Sequence, residues 1–229
     1  MVQSKITLAF TTGKRLNYFH ETFNSLINNC LDFNILSDIL IIDDGSSRED
    51  LFSMYSLLEV TNKPFDICIN EKGGHANSII KLYDSLIKNN TDFLFLCEDD
   101  WKFRIKDNWI SKSLNILDDE HLQVILTCAL EDSVFQPILN KDGFNFCEHI
   151  YNPNGRRQID NWPGWSLNPN IQNFKRIYEK VGKYENIFEH EMNYSKKYFQ
   201  TGLRIFRTVQ KYALHIGYNS LYSINNSSR

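Results

Sequence analysis

Residues Asp92 to Trp101 read Asp-Phe-Leu-Phe-Leu-Cys-Glu-Asp-Asp-Trp, an unbroken apolar run driven into three consecutive carboxylates. Such a run describes a strand buried on both faces, characteristic of parallel sheets, that stops where the sheet meets solvent. In an open α/β sheet that edge is where ligands bind. Three adjacent carboxylates repel one another and hold their protons longer unless a cation lies among them. The segment therefore points to a metal at a strand end; the competing reading is a helix N-terminus, whose dipole favours acids with no metal.

The rest of the chain supplies the sheet this strand needs. Ile6 to Thr12 is β-branched and apolar and opens onto Thr-Thr-Gly, and Leu16, Phe19, Phe23, Leu26 and Ile27 then recur at helical spacing. Ile39 to Ile42 forms a second strand, cut off by Asp43-Asp44-Gly45-Ser46-Ser47 and followed by a helical stripe through Leu51, Met54, Leu57 and Leu58. Phe65 to Ile69 reads as a third strand, and Gly73-Gly74-His75-Ala76-Asn77 opens a helix carrying Ile79, Ile80, Tyr83, Leu86 and Ile87. This alternation predicts an α/β fold with a mostly parallel central sheet flanked by helices, joined by right-handed crossovers.

Beyond the acids, the spacing predicts a helix through Ile110, Leu114 and Leu117 and a strand over Leu122 to Leu130. Glu131 to Asp160 reads as loops or short hairpins. Asn161 to Pro169 is a turn-rich aromatic stretch, after which Ile171, Phe174, Ile177, Tyr178 and Val181 form a helical stripe. Glu189 to Gln200 reads as a helix closed by Thr201-Gly202, and Leu203 to Val209 as a strand. No linker interrupts the 229 residues, so one domain is expected: residues 1–105 as a nucleotide-binding half, 106–224 as an acceptor and catalytic half, 225–229 as a frayed tail.

A net charge of -3 excludes the dense basic field that nucleic acid or an anionic membrane demands. No apolar run reaches the length that spans a bilayer, and the N-terminus has no signal-like core. The five cysteines, Cys30, Cys68, Cys97, Cys128 and Cys147, are scattered and form no Cys-x-x-Cys pair, which implies reduced, buried thiols and a cytoplasmic setting.

Two acidic turns at strand ends of one sheet are the chemically informative pair. Mg²⁺ and Mn²⁺ take hard oxygen ligands and keep positions for water and phosphate, so one or two of Glu98, Asp99 and Asp100 suffice. Carboxylates of the Asp43-Asp44 turn can accept from a nucleobase N–H or a ribose hydroxyl, although Asp-Gly-Ser alone also makes an ordinary turn. Neither a Gly-x-Gly-x-x-Gly nor a Gly-Lys-Ser/Thr loop is present, so the dinucleotide and P-loop fingerprints are missing.

Ile6 to Thr12, Ile41 to Ser47 and Phe93 to Asp100 together resemble the GT-A-fold glycosyltransferases of family 2 type. The resemblance covers the first half of the chain and isolated points of the second. It implies a nucleotide-diphosphate-sugar donor, with UDP or GDP as nucleotide, and an inverting, Mn²⁺- or Mg²⁺-dependent transfer to a hydroxyl of a glycan or other acceptor. By the same resemblance Thr11, Thr12, Arg15 and Asp44 hold the nucleotide, Gly74 and Asn77 lie beside it, and Glu98 and Asp99 flank the ribose. Asp100 holds the metal and His215 supplies a late imidazole ligand, a donor suited to Mn²⁺.

Trp165, with Trp162 and Ser166, is assigned either to a sugar-facing wall or to the core. His75 is either a phosphate contact or a polar turn residue. By the same resemblance the pair His190-Glu191 precedes Gly202 at the family's spacing, twelve residues from the first position of the pair, so Glu191 stands at the catalytic base position, with His190 where the family has an acid and Glu189 as its neighbour and contender. The Asn-, Lys- and Ile-rich chain resembles small stand-alone transferases of large DNA viruses or glycan-building bacteria, which would place it in a bacterial or host cytoplasm. Two other readings follow from the same residues: a nucleotidyltransferase, for which Thr12-Gly13-Lys14-Arg15 is a faint triphosphate loop, and a non-catalytic nucleotide-sugar-binding domain.

Overall fold

The computed structural model describes residues 4–71, 73–127, 137–154 and 161–217. The first half follows the predicted alternation: β1 (Ile6–Thr12), α1 (Leu16–Asn29), β2 (Asp38–Asp43), α2 (Arg48–Glu59), β3 (Phe65–Ile69), α3 (His75–Lys88) and β4 (Phe93–Glu98). Next come β5 (Trp101–Phe103), α4 (Trp109–Ile116), β6 (His121–Ile125), the hairpin β7 (Leu139–Lys141) and β8 (Phe144–Glu148), and β9 (Asn170–Gln172). The chain continues through α5 (Phe174–Val181), α6 (His190–Gln200), β10 (Arg204–Thr208) and β11 (Ala213–His215).

Nine strands form one sheet in the order β3-β2-β1-β4-β9-β6-β10-β8-β7. β1 pairs in parallel with β2 and β4, β2 with β3, and β6 with β10. The apolar runs are continuous because both faces are covered. Leu8, Phe10, Phe95 and Cys97 pack with Phe19, Phe23 and Leu26 of α1 on one side. Ala9, Leu94 and Leu96 pack with Ile79, Leu82 and Leu86 of α3 on the other. The mixed α/β class read from the sequence is the observed one.

Three readings need correction. Ile171 was expected on a helix, but it belongs to β9, a three-residue strand wedged antiparallel between β4 and β6. The helix starts only at Phe174, where the side chain of Asn173 accepts from Arg176 N at 3.1 Å and caps it. The strand expected over Leu122 to Leu130 is the shorter His121–Ile125, and residues 128–130 lie outside the described part. No element is expected over Trp101–Phe103, yet it is a strand that pairs with β11 and sets His215 opposite Trp101.

The stretch from Glu131 to Asp160 was left as loops or hairpins, and its described part contains one hairpin. Asp142 and Gly143 form the turn with φ of 52° and 77°, the left-handed pair that suits a tight two-residue hairpin. The frayed tail expected over 225–229 and Cys128 fall outside the described residues. Cys30, Cys97 and Cys147 are buried and Cys68 is half-buried, and none of these four forms a disulfide. Among the described residues no helix is long and apolar enough to cross a membrane.

Candidate functional site

The topology fixes where a ligand can enter. From β1 the chain steps to β2 and β3 on one side, and α3 then carries it back to β4 on the other side of β1. The C-terminal ends of β1 and β4 thus diverge at a topological switch point, where the crevice of an open α/β sheet forms. Thr12 stands beside Asp43 across one strand pair, and Thr11 beside Glu98 across the other. The two acidic turns are therefore one strand apart.

Asp99 is fully buried. Its Oδ2 accepts from Thr12 Oγ1 at 2.8 Å and from Arg15 Nε at 3.3 Å, while Arg15 Nη2 meets Oδ1. Burial pushes the Asp99 carboxyl up to about 7, against the pull of Arg15 and Thr12. Arg15 also donates through Nη1 to Asp100 Oδ2 at 2.9 Å. Burial works against the Arg15 charge, but the two aspartates outweigh it and lift its pKa. Asp99 is thus engaged with Arg15 and Thr12 on both oxygens, the role of an internal brace rather than an open ribose contact. Thr22 of α1 was read as part of no site, yet its Oγ1 donates to Asp99 O at 2.6 Å and accepts from Trp101 N at 3.0 Å, pinning the acidic turn to the helix. Nothing in the α1 stripe distinguishes it, because its polar contact lies on the buried face.

Asp100 and His215 lie side by side. β11 delivers His215 by pairing with β5, and Ile216 N donates to Asp100 O at 2.9 Å. His215 Nε2 lies 3.4 Å from Asp100 Oδ2. Asp100 Oδ1 is buried and has no hydrogen-bond partner among the described residues, which is costly for a carboxylate oxygen unless a cation or water meets it. One hard oxygen and one imidazole suit a Mn²⁺-like ion with phosphate and water completing its shell. Among the described residues no set of three His, Cys, Asp or Glu side chains is grouped to hold an ion unaided. The donor set therefore fits a metal shared with a ligand.

The β2 turn and the glycine loop form the opposite wall. Asp43 Oδ2 accepts from Gly45 N and Ser46 N at 3.0 and 2.9 Å, closing the turn. Asp44 Oδ2 accepts from Gly74 N at 2.8 Å and Oδ1 from Asn70 Nδ2 at 3.2 Å. Gly73 and Gly74 take φ of 66° and 87°, a left-handed path open to glycine, which lets the loop fold back onto Asp44. Asn77 donates to Gly73 O at 2.8 Å and accepts from Asn186 at 3.1 Å, tying this loop to the segment ahead of α6.

That segment brings Glu191 into the crevice. Its Oε1 accepts from Leu167 N at 2.8 Å and from Ser166 Oγ at 3.1 Å. Burial raises its pKa and the nearby Glu98 adds to this, while the Leu167 N–H, Ser166 and His75 pull the other way. Glu98 itself is held below the usual range despite burial, by His75, Arg15 and His215. Glu189 precedes the helix in a left-handed conformation with φ 50°. Trp165 is fully buried, stacks edge-on to Tyr194 and donates to Gln172 Oε1. It belongs to the core, so its ring offers no face to a sugar.

Two imidazoles gather here that the sequence had treated singly. His75 Nε2 lies 2.9 Å from Glu98 Oε1, and its ring meets that of His190 at 5.3 Å. The shared signal was positional: each is the first residue of a helix whose N-terminus faces the same crevice.

No protein-family profile matches the sequence, and no curated protein matches it. Solved structures do. The mannosyltransferase PcManGT from Pyrobaculum calidifontis, in complex with GDP-Man and Mn²⁺, superposes with a TM-score of 0.60 at 11% identity over 92% of this chain and 58% of that one. TarS 1–349 of S. aureus, in complex with UDP-GlcNAc, gives 0.60 at 12% identity over 95% of this chain and 62% of that one. The fold is GT-A. A 4-diphosphocytidyl-2C-methyl-D-erythritol synthase from Anaerococcus prevotii also shares it, with a TM-score of 0.58, 12% identity, and coverage of 98% of this chain and 95% of that one. The chain spans about three fifths of the two sugar-nucleotide-bound GT-A proteins.

Proposed function

We propose that the protein is an inverting, divalent-metal-dependent glycosyltransferase that moves a sugar from a nucleotide-diphosphate sugar to a hydroxyl of a glycan or other acceptor. One observation carries this reading: Asp100 has a buried carboxylate oxygen with no partner among the described residues, and His215 lies 3.4 Å from its other oxygen, a donor pair that fits a divalent ion. Glu191, held through one oxygen by Ser166 and Leu167, is the proton acceptor on the same crevice. The GDP-Man and UDP-GlcNAc of the two structural neighbours support a GDP- or UDP-sugar donor, and Mn²⁺ in one of them supports that ion, with Mg²⁺ as the alternative.

In this reading the whole chain acts as one domain. Residues 1–105 give Thr11, Thr12, Arg15, Asp44, Gly74, Asn77 and Glu98 to the donor, and Asp99 braces Arg15. Asp100 and His215 would hold the metal, which when bound offsets the charge that builds on the departing diphosphate. Glu191 takes the proton of the acceptor hydroxyl while that oxygen attacks the anomeric carbon from the face opposite the diphosphate. The new carbon–oxygen bond forms as the bond to phosphate breaks, and its electron pair leaves with the nucleoside diphosphate. Ser166 and Leu167 fix one Glu191 oxygen and leave the other for the proton. A raised pKa makes the carboxylate a better base. Free buried thiols fit a reducing compartment, so we place the reaction in the cytoplasm.

The synthase, which shares the fold over 95% of its own chain, supports nucleotidyl transfer as the second reading. Against it, Arg15 is committed to Asp99 and Asp100, which leaves Lys14 as the basic side chain of that loop for a triphosphate. Incubation with Mn²⁺ and GDP- or UDP-sugars should release nucleoside diphosphate. Release of pyrophosphate from a nucleoside triphosphate and a sugar phosphate, with no nucleoside diphosphate from any donor, overturns the transferase reading.

A further inference from the structure

Thr22, Ser25 and Asn29 follow one another along α1 at spacings of three and four, which puts their side chains on one face of the helix. All three reach the backbone at β5. Thr22 Oγ1 accepts from Trp101 N at 3.0 Å and donates to Asp99 O at 2.6 Å. Ser25 Oγ accepts from Phe103 N at 2.9 Å and donates to Thr22 O at 2.9 Å. Asn29 Nδ2 donates to Phe103 O at 3.1 Å and to Ser25 O at 2.8 Å.

These contacts complete an alternation along the strand. Backbone groups of Asp100 and Arg104 face β11, where Ile216 N donates to Asp100 O at 2.9 Å and Arg104 N to Tyr212 O at 3.0 Å. Those of Asp99, Trp101 and Phe103 face α1. Among the described residues β11 is the only strand paired with β5, so helix side chains take the place of a second partner strand. They satisfy backbone groups that burial would otherwise leave costly.

Both proposed metal ligands depend on this strand. Asp100 immediately precedes it, and the β5–β11 pairing sets His215 opposite Trp101. The fit around Asp100 is close. Arg15 Nη1 holds its Oδ2 at 2.9 Å, and the backbone of Gly217 lies so near that a Cβ there would stand 2.8 Å from Asp100 Cβ and Cγ. A shift of β5 away from α1 would therefore change how Asp100 meets His215, with little room for the carboxylate to compensate. We propose that Thr22, Ser25 and Asn29 are positioning residues for the divalent ion, fixing β5 on α1 and thereby setting the geometry and affinity of the Asp100 and His215 pair. This rests on the metal-dependent reading and adds to it residues that touch neither donor nor ion. Thr22 has the largest share, because its hydroxyl grips the residues on both sides of Asp100.

The test is electron paramagnetic resonance of Mn²⁺ with the full chain and saturating UDP or GDP, which reads bound ion without turnover. Thr22→Val keeps the size of the side chain and removes both bonds to the acidic turn. It should bind Mn²⁺ about 10- to 100-fold more weakly, the range for residues that hold a metal ligand in place. Thr22→Ser, which keeps the hydroxyl, should recover most of that affinity, and Ser25→Ala should weaken binding by less than Thr22→Val does. Thr7→Val is the control. Thr7 Oγ1 and Thr91 Oγ1 share a buried hydrogen bond of 2.9 Å at the opposite end of β1, so its loss should lower the melting temperature and leave Mn²⁺ affinity unchanged. If thermal melting shows Thr22→Val unfolded, Ser25→Ala must lose Mn²⁺ affinity in its place. Wild-type affinity in a folded Thr22→Val, no recovery in Thr22→Ser, or an equal loss in Thr7→Val overturns the proposal and leaves the metal reading standing. Wild type that binds no Mn²⁺ with either nucleotide overturns the metal reading and this proposal with it.

Discussion

Residues in the crevice divide into those that carry charge for the fold and those that hold it for a ligand. Arg15, although proposed to face the donor, also does the first through its pairs with Asp99 and Asp100. Removing it as Arg15→Ala leaves the buried Asp99 carboxylate without a counter-charge, an expected cost on the order of 3 kcal/mol. Arg15→Lys should recover only part of this, since a single ammonium cannot replace a fork that reaches both Asp99 and Asp100; chemical denaturation of the two variants checks it. Glu191 does the second, at a price in stability. Its folded carboxyl titrates above the ordinary value of 4.5, so between those two values the folded chain holds a proton that the unfolded chain releases. Stability then falls as pH rises through that window and stays reduced above it. Glu191→Gln should therefore melt higher than the parent at pH 8, with the gap closing below about pH 4.5. The same variant should keep donor binding and lose about 10² to 10⁴-fold in transfer. Asp100→Asn is expected to stay folded and lose Mn²⁺-dependent donor binding, read by calorimetry with and without the ion. At this scale the sequence made legible where Asp44 and Asp100 stand, at strand ends of one sheet, while Arg15 entered by the family resemblance and not by its position. Trp165 and Asp99 look like ligand contacts until the packing buries them.

Elements place those residues, and two loops bear most of the placement. The turn after β1 runs so close to the turn after β2 that a Cβ on Gly13 would lie 2.9 Å from Asp44 Cβ and 3.0 Å from Asp44 O. Asp44 N also donates to Thr12 O at 2.8 Å across this gap. Gly13→Ala should push the turns apart, costing about 1–3 kcal/mol of stability and weakening nucleotide binding, because Asp44 and the Gly73-Gly74 loop it holds would shift together. Calorimetry with UDP or GDP on the folded variant measures the second effect. The ladder from β1 to β4 was readable because each strand is a run of five or more residues bounded by a turn and a periodic helix. β5, β9 and β11 have three residues each, too few for any period to show, and their pairing is set by partners distant in the chain. Those short strands nonetheless decide the site: β11 against β5 is what brings His215 to Asp100.

On the scale of the whole molecule, the crevice is lined from both parts of the chain, with Asp44 and Asp100 from the first and Glu191 and His215 from the second. A ligand that spans it should stabilise the entire fold, since anything that binds the native state alone raises its melting temperature by mass action. At a ligand concentration near 100 times its dissociation constant the gain is about 2.7 kcal/mol, which for a chain of this size amounts to a rise of roughly 5–10 °C. A sugar nucleotide should produce that rise with Mn²⁺ present and a much smaller one after chelation, because in the proposed reading Asp100 and His215 would hold the donor through the ion. The two sorts of neighbour with this fold sharpen the expectation, one bound to sugar nucleotides and the other a synthase. If a nucleoside triphosphate gives the larger metal-dependent shift, the molecule is working as the synthase-like reading requires. If the sugar nucleotide does, the crevice is a donor site, and the acceptor must approach from the side where Glu191 stands.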